Sequence, residues 1–270
     1  MEGITPRVDF SSELVGMNSL KDKVIYIPGG YGGIGESIAW GAALNGAKVV
    51  VSGRTGEKAK LVAKQLSEAG HTASGLQLDA KSVSEITDSV DAVVDIYGSI
   101  DILVNCVGMQ IEQNILDVTE EAFDEVYTVN LKAAMFLSQA AARHQISAGK
   151  GGKHIHFLSV RSQLALRGRG YSAYSSTKGA LVMLIKQHAM ELAPHAINVN
   201  GIAPTFVHTE MIRHVMENEV FKRQLVDRIP LGRIADPKDL VGPTLFFASP
   251  ASDFVTGQIL YVDGGITASQ

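Results

Sequence analysis

Apolar residues along this chain arrive in two alternating rhythms. Short, nearly unbroken apolar runs come first: Val24-Ile25-Tyr26-Ile27, Lys48-Val49-Val50-Val51-Ser52, a run ending at Leu78-Asp79, and Ile100-Asp101-Ile102-Leu103-Val104. They continue with His154-Ile155-His156-Phe157-Leu158, Ile197-Asn198-Val199-Asn200 and Ile259-Leu260-Tyr261-Val262. Between them, about 33–46, 56–70, 82–97, 119–130, 131–148 and 172–193, apolar positions recur at helical spacing. Repeated βα units whose strands are apolar along their length predict a parallel sheet covered on both faces. No shift of composition marks a second domain, so the expectation is a short N-terminal extension over 1–20 and a single α/β domain over 21–270. The stretch 204–235 breaks the rhythm and is a candidate lid.

Composition narrows the classes. The chain has 270 residues and is 46% hydrophobic, enough for a substantial core. A net charge of −4 argues against a nucleic-acid or membrane-surface partner. Cys106 is the only cysteine, so no intrachain disulfide can form and a reducing compartment is expected. Residues 1–20 lack a basic region followed by an apolar run, and no apolar run is long enough to span a membrane. The cytoplasm is the expected location.

Two features carry chemistry. The first strand ends in Pro28-Gly29-Gly30-Tyr31-Gly32-Gly33-Ile34-Gly35 ahead of a helix. Glycines there let the backbone turn tightly and approach a pyrophosphate seated on the helix N-terminus. The second strand ends Ser52-Gly53-Arg54-Thr55, with no carboxylate for a ribose 2′-hydroxyl and an arginine suited to a 2′-phosphate. NADP(H) is therefore favoured as cofactor over NAD(H). The second feature is Tyr174-x3-Lys178 at the start of the long helix. Residues four apart share a helix face, so phenol and ammonium enter one pocket. The ammonium is expected to lower the tyrosine pKa towards neutrality, making Tyr174 a general acid/base.

Taken in order, these residues resemble the short-chain dehydrogenase/reductase family over roughly 20–266. The resemblance rests on the Gly29/Gly33/Gly35 run, Asp79 after the third strand, Asn105-Cys106-Val107-Gly108 after the fourth, and Asn130 in Val129-Asn130-Leu131-Lys132. It is completed by Ser159 after the fifth strand, Tyr174-x3-Lys178, Pro204-x4-Thr209 and Val262-Asp263-Gly264-Gly265. It implies a doubly wound, Rossmann-type sheet of seven parallel strands and a homotetramer. It also implies roles: Tyr174 as acid/base, Lys178 tuning it and binding the nicotinamide ribose, Ser159 on the substrate oxygen, and Asn130 holding a relay water. Gly29, Tyr31, Gly33, Ile34, Gly35, Arg54, Asp79, Ala80, Asn105, Gly108, Pro204, Val207 and Thr209 would contact the cofactor.

The chain departs from the family pattern in places. Pro28 stands for the usual Thr, Cys106-Val107 for Asn-Ala, and Thr205 for the Gly of a Pro-Gly turn. The Pro28 and Cys106 changes are linked if their segments are neighbours. Ser159 is two residues farther from Tyr174 than the family spacing, and Arg161 falls at the usual count. Ser159 is preferred as the catalytic serine, with Ser162 the alternative.

Tyr171-x6-Lys178 resembles the spacing of divergent enoyl-acyl-carrier reductases, but Tyr174 and Ser159 favour carbonyl or alcohol chemistry and leave Tyr171 as a substrate wall. The histidines show no metal spacing, so no metal site is expected; His208 is a candidate substrate contact. Cys106 reads as a buried small hydrophobe. Of Arg161, Arg167 and Arg169, at least one, with Arg161 first, would recognise an anionic substrate; otherwise they are solvent-facing or subunit-contact arginines. Asp253-Phe254-Val255-Thr256-Gly257-Gln258 and Tyr261-Val262-Asp263-Gly264-Gly265 resemble sugar-acid and polyol dehydrogenases of the gluconate 5-dehydrogenase type. The same features occur in 3-oxoacyl-acyl-carrier reductases, for which Arg213, Lys222, Arg223 and Arg228 would form a docking patch. The resulting expectation is hydride transfer between NADP(H) or NAD(H) and a small secondary alcohol or ketone. A non-catalytic cofactor sensor is the second alternative; it would have lost one of Asn130, Ser159, Tyr174 or Lys178, and all four are present.

Overall fold

The apolar runs form one parallel sheet. The computed structural model describes residues 14–212 and 219–269. Its strands are β1 (Val24–Pro28), β2 (Lys48–Gly53), β3 (Ala73–Gln77), β4 (Ile102–Asn105), β5 (Gly152–Phe157), β6 (Ile197–Pro204) and β7 (Ile259–Val262). They pair in the order β3-β2-β1-β4-β5-β6-β7, every neighbour parallel. The order reverses between β1 and β4, and a crevice opens there beyond the carboxyl ends of the strands, where ligands bind in doubly wound sheets.

The helices are α1 (Gly33–Leu44), α2 (Gly56–Glu68), α3 (Val83–Tyr97), α4 (Glu120–Tyr127), α5 (Ala133–Ala148), α6 (Ser172–Leu192), α7 (Glu219–Val226) and α8 (Val241–Ala248). Alternate side chains of a strand point to opposite faces. Ile25 and Ile27 meet Ile38 of α1, Val62 of α2 and Phe247 of α8, whereas Val24 and Tyr26 meet Val90 of α3 and Leu137 of α5. A third cluster joins Leu181 and Ile185 of α6 to Val199 of β6. Both faces are thus covered, as the unbroken apolar strands require.

Several boundaries moved. Leu20 is fully buried in the first cluster, and its N–H bonds Asn45 O at 3.1 Å. The packed fold therefore begins inside the expected extension; residues 1–13 of that extension lie outside the described residues. The expected helices over 119–130 and 131–148 run on from α4 to α5 through a π-helical turn, Thr128–Lys132. Helix α8 was not expected, because Gly242 and Pro243 mask its apolar face. Within 204–235, α7 contributes Leu225 to a small cluster with Val160, Ile229, Ile234 and Ile266; Arg213 lies outside the described residues.

Candidate active site

The glycine run forms a backbone cradle. Gly29 and Gly30 donate their N–H groups to Ser52 O, which folds the chain sharply back from β1. A Cβ on Gly29, at φ 79°, would lie 2.8 Å from the Cys106 carbonyl, and one on Gly35 would lie 2.4 Å from Gly29 O. No larger residue fits at either position. Helix α1 has no side-chain cap at Gly32, so its first-turn N–H groups remain for a ligand. The Cys106 N–H donates to Pro28 O at 2.9 Å, so the two linked departures are indeed adjacent.

Beside the cradle, Tyr31 packs against Gly53 so closely that a Cβ there would sit 2.4 Å from the ring. Its hydroxyl accepts the Thr55 N–H at 3.2 Å, and Lys58 Nζ lies 6.0 Å from its centroid. The ring fills the space a carboxylate at residue 53 would need. Exposed Arg54 follows. Asp79 and Ala80 lie beyond β3, with Asp79 Oδ1 accepting the Lys81 N–H at 3.0 Å. Thr209, from the loop after β6, reaches Gly33: a Cβ on that glycine would lie 3.1 Å from Thr209 Cγ2.

At the switch point the cradle meets a cavity of about 380 Å³. Ile34, Gly108, Ser159, Arg161, Tyr171, Tyr174, Lys178, Pro204, Val207 and Thr209 all line it. Lys178 Nζ donates to Phe157 O at 2.9 Å and lies 5.6 Å from the Tyr174 centroid. Tyr171 meets Tyr174 edge to face at 5.9 Å. Ser159 hydrogen-bonds Tyr174 and accepts the Arg161 N–H at 3.1 Å. Ser162 instead pairs with the Tyr261 hydroxyl at 3.1 Å and is absent from the cavity lining, whereas Ser159 belongs to it. Asn130, in the π-helical turn, accepts the Met109 N–H at 2.8 Å and donates to Met109 O and Thr177 Oγ1 at 2.9 and 3.1 Å. It thereby fixes the loop that carries Gly108. Asn105 holds that loop's start, accepting the Val107 N–H at 3.0 Å.

The electrostatics correct one expectation. Burial pushes the Tyr174 phenol up to about 12, and the Ser159 hydrogen bond only partly opposes this. Burial also draws Lys178 down to about 8. Desolvation disfavours both charged forms, and the ammonium is held on the Phe157 carbonyl, so it does not bring the phenol towards neutrality. Cys106 is half-buried, and its thiol is pushed upward by burial, with Lys178 pulling the other way. A thiol so displaced is no nucleophile.

One further expectation needs correction. Exposed His208 hydrogen-bonds Ala235 O through its backbone and is absent from the cavity wall. Of the three arginines, Arg167 is exposed, and Arg169 donates Nε and Nη2 to the two oxygens of Glu112 while lying over the Tyr171 and Phe221 rings. Only Arg161 faces the cavity with uncommitted capacity. Sequence reasoning missed Met109, Gln110, Glu112 and Phe206, which also line it. Gln110 and Met109 directly follow Gly108, a positional signal; Glu112 carried none.

A dinucleotide cradle joined to a Ser–Tyr–Lys cluster at a switch point defines a nicotinamide-dependent oxidoreductase acting at a CH–OH carbon. The chain belongs to the short-chain dehydrogenase/reductase family. A family model described as "Enoyl-(Acyl carrier protein) reductase" matches residues 30–267. The chain is 38% identical over 249 residues to 5-keto-D-gluconate 5-reductase of Escherichia coli, covering 92% of this chain and 96% of that protein. It is 37% identical over 251 residues to gluconate 5-dehydrogenase of Gluconobacter oxydans, covering 93% and 97%. A gluconate 5-dehydrogenase from Burkholderia cenocepacia, solved in complex with NADP and tartrate, superposes with a TM-score of 0.91 at 35% identity, covering 95% of this chain and 100% of that one. Among the described residues no helix is long and apolar enough to cross a membrane.

Proposed function

We propose that this chain interconverts a secondary alcohol and a ketone on a sugar acid, with NADP(H) as the favoured cofactor and NAD(H) as the lesser one. The observation that carries the reading is the convergence of Ser159, Tyr174 and Lys178 on one cavity, next to a glycine cradle that fits a dinucleotide. The names of the gluconate and 5-ketogluconate relatives supply the substrate class, and the NADP-bound neighbour supports the cofactor. Gly29, Gly33, Ile34 and Gly35 would hold the pyrophosphate, and Tyr31 and Arg54 the adenosine end with its 2′-phosphate. Asp79 and Ala80 would face the adenine; Asn105, Gly108, Pro204, Val207 and Thr209 would flank the nicotinamide. The nicotinamide, when bound, accepts or supplies the hydride.

The chain's own residues do the rest. Ser159 and Tyr174 receive the substrate oxygen, and Tyr174 takes its proton in oxidation or returns it in reduction. Lys178 is anchored on Phe157 O, from where it would bind the nicotinamide ribose. Asn130 keeps the Gly108–Met109 loop in register and would hold the relay water. Tyr174 in the position four before Lys178 supports carbinol chemistry over the enoyl chemistry in the family description. We further read the protein as a cytoplasmic homotetramer, a state that would cover exposed apolar side chains such as Leu116 and Phe254.

The test is a turnover assay on sugar acids, polyols and 3-oxoacyl thioesters, with NADP and NAD side by side, for wild type and Tyr174→Phe. Turnover of a sugar acid with NADP preferred, reduced at least about a hundredfold in kcat by Tyr174→Phe with cofactor binding retained, is the expected result. Turnover confined to the thioesters would transfer the protein to acyl-chain reduction.

A further inference from the structure

The cavity contains a buried arginine that no carboxylate among the described residues neutralises. Arg161 is only 4% exposed. Its Nη1 donates to the carbonyls of Leu164 and Ala165 at 3.1 and 3.0 Å, which fixes the guanidinium, while Nη2 is buried without a partner. Among the described residues no carboxylate lies within ion-pair distance of it. The carboxylate on the cavity wall, Glu112, is already held by Arg169. Burial lowers the Arg161 pKa, and the positive charge of Arg228 adds to this. An unpaired buried cation is costly, and a ligand carboxylate would remove that cost. Two more side-chain atoms buried without partners, Gln110 Nε2 and Thr205 Oγ1, belong to residues of the same wall. An amide and a hydroxyl suit the hydroxyls of a polyhydroxylated chain.

We propose that Arg161 is the anchor for the substrate's carboxylate, with Gln110 and Thr205 binding its hydroxyls, so that the anchored end determines which carbinol carbon reaches Tyr174. This rests on the sugar-acid reading above and adds the residue that enforces it.

The test uses the NADP-loaded enzyme, wild type, Arg161→Gln and Arg161→Lys, on D-gluconate and on its uncharged counterpart D-glucitol. Tartrate serves as a carboxylate probe in thermal-shift measurements. Arg161→Gln is expected to raise KM for D-gluconate by roughly tenfold to a hundredfold, the loss of one charge-assisted hydrogen-bonded contact, with kcat little changed. Its kcat/KM for D-glucitol should be unchanged, and the tartrate-induced rise in Tm should vanish. Arg161→Lys keeps the charge and, if Arg161→Gln fails to fold, decides alone by raising KM for the acid but not the polyol. Equal losses on both substrates, or a wild type indifferent to the carboxylate, overturn the anchor. If the wild type turns over no sugar acid, the catalytic reading falls and tartrate decides the anchor separately. Tartrate stabilising wild type but not Arg161→Gln sustains it; stabilisation of both or neither overturns it.

Discussion

Tyr174 sits in the resting protein as a neutral phenol, with its pKa raised to about 12 by burial. In the proposed reaction, alcohol oxidation asks it to accept a proton, so the reactive form would be the phenolate. Below that pKa the phenolate fraction falls about tenfold per pH unit. The kcat/KM for oxidation should therefore climb steadily from about pH 7 to about pH 10, because this parameter reports groups of the free enzyme. Ketone reduction needs the protonated phenol and should not rise over the same range. Paired pH profiles of the two directions check this. An oxidation profile that levels off near neutrality would mean that Lys178 overcomes desolvation after all. That Tyr174 and Lys178 enter one cavity was legible from their spacing, because residues four apart share a helix face. Their ionisation was not, because it depends on burial by elements far away in the chain.

At the scale of elements, β5 carries two histidines in the middle of the sheet. His154 and His156 are both fully buried, bonded to Gln145 and to Ser138 and Asn105. Burial draws His154 down to about 3 from an ordinary value of 6.5, and His156 well below the ordinary value. Below pH 6.5 the unfolded chain takes up protons that the folded one refuses. Stability is then complete above that value and lost as pH falls, with a limiting slope of about 1.4 kcal/mol per pH unit per histidine. Urea unfolding at a series of acidic pH values should show this decline, and His154→Gln should make it shallower. An unchanged slope in that variant would remove His154 from the account. Helices with clean periodicity were legible at this scale, such as α3, which begins at a Ser82 cap on the Glu85 N–H and ends at Gly98. The π-helical turn was not: one extra residue leaves the apolar spacing nearly intact, yet it helps set where Asn130 lies. Nor was α8, where Gly242 and Pro243 imitate a loop and the helix is stabilised by packing on α1.

For the whole molecule, the strand order has a consequence for how the protein comes into being on the ribosome. Strand β2 joins β1, β3 joins β2, β4 takes the other side of β1, and each later strand adds to the one made before it. No strand has to be inserted between two already paired. The nucleotide half can therefore assemble while the rest is still being translated, and β7, from Ile259–Val262, covers β6 and becomes the edge strand in its place. A chain stopped just before β7 would leave β6 with unpaired backbone groups along Gly201–Pro204, an invitation to pair with another chain. Such a truncated product, ending near residue 256, should emerge as insoluble aggregate rather than as a weakened enzyme, and its partition between pellet and supernatant would show it.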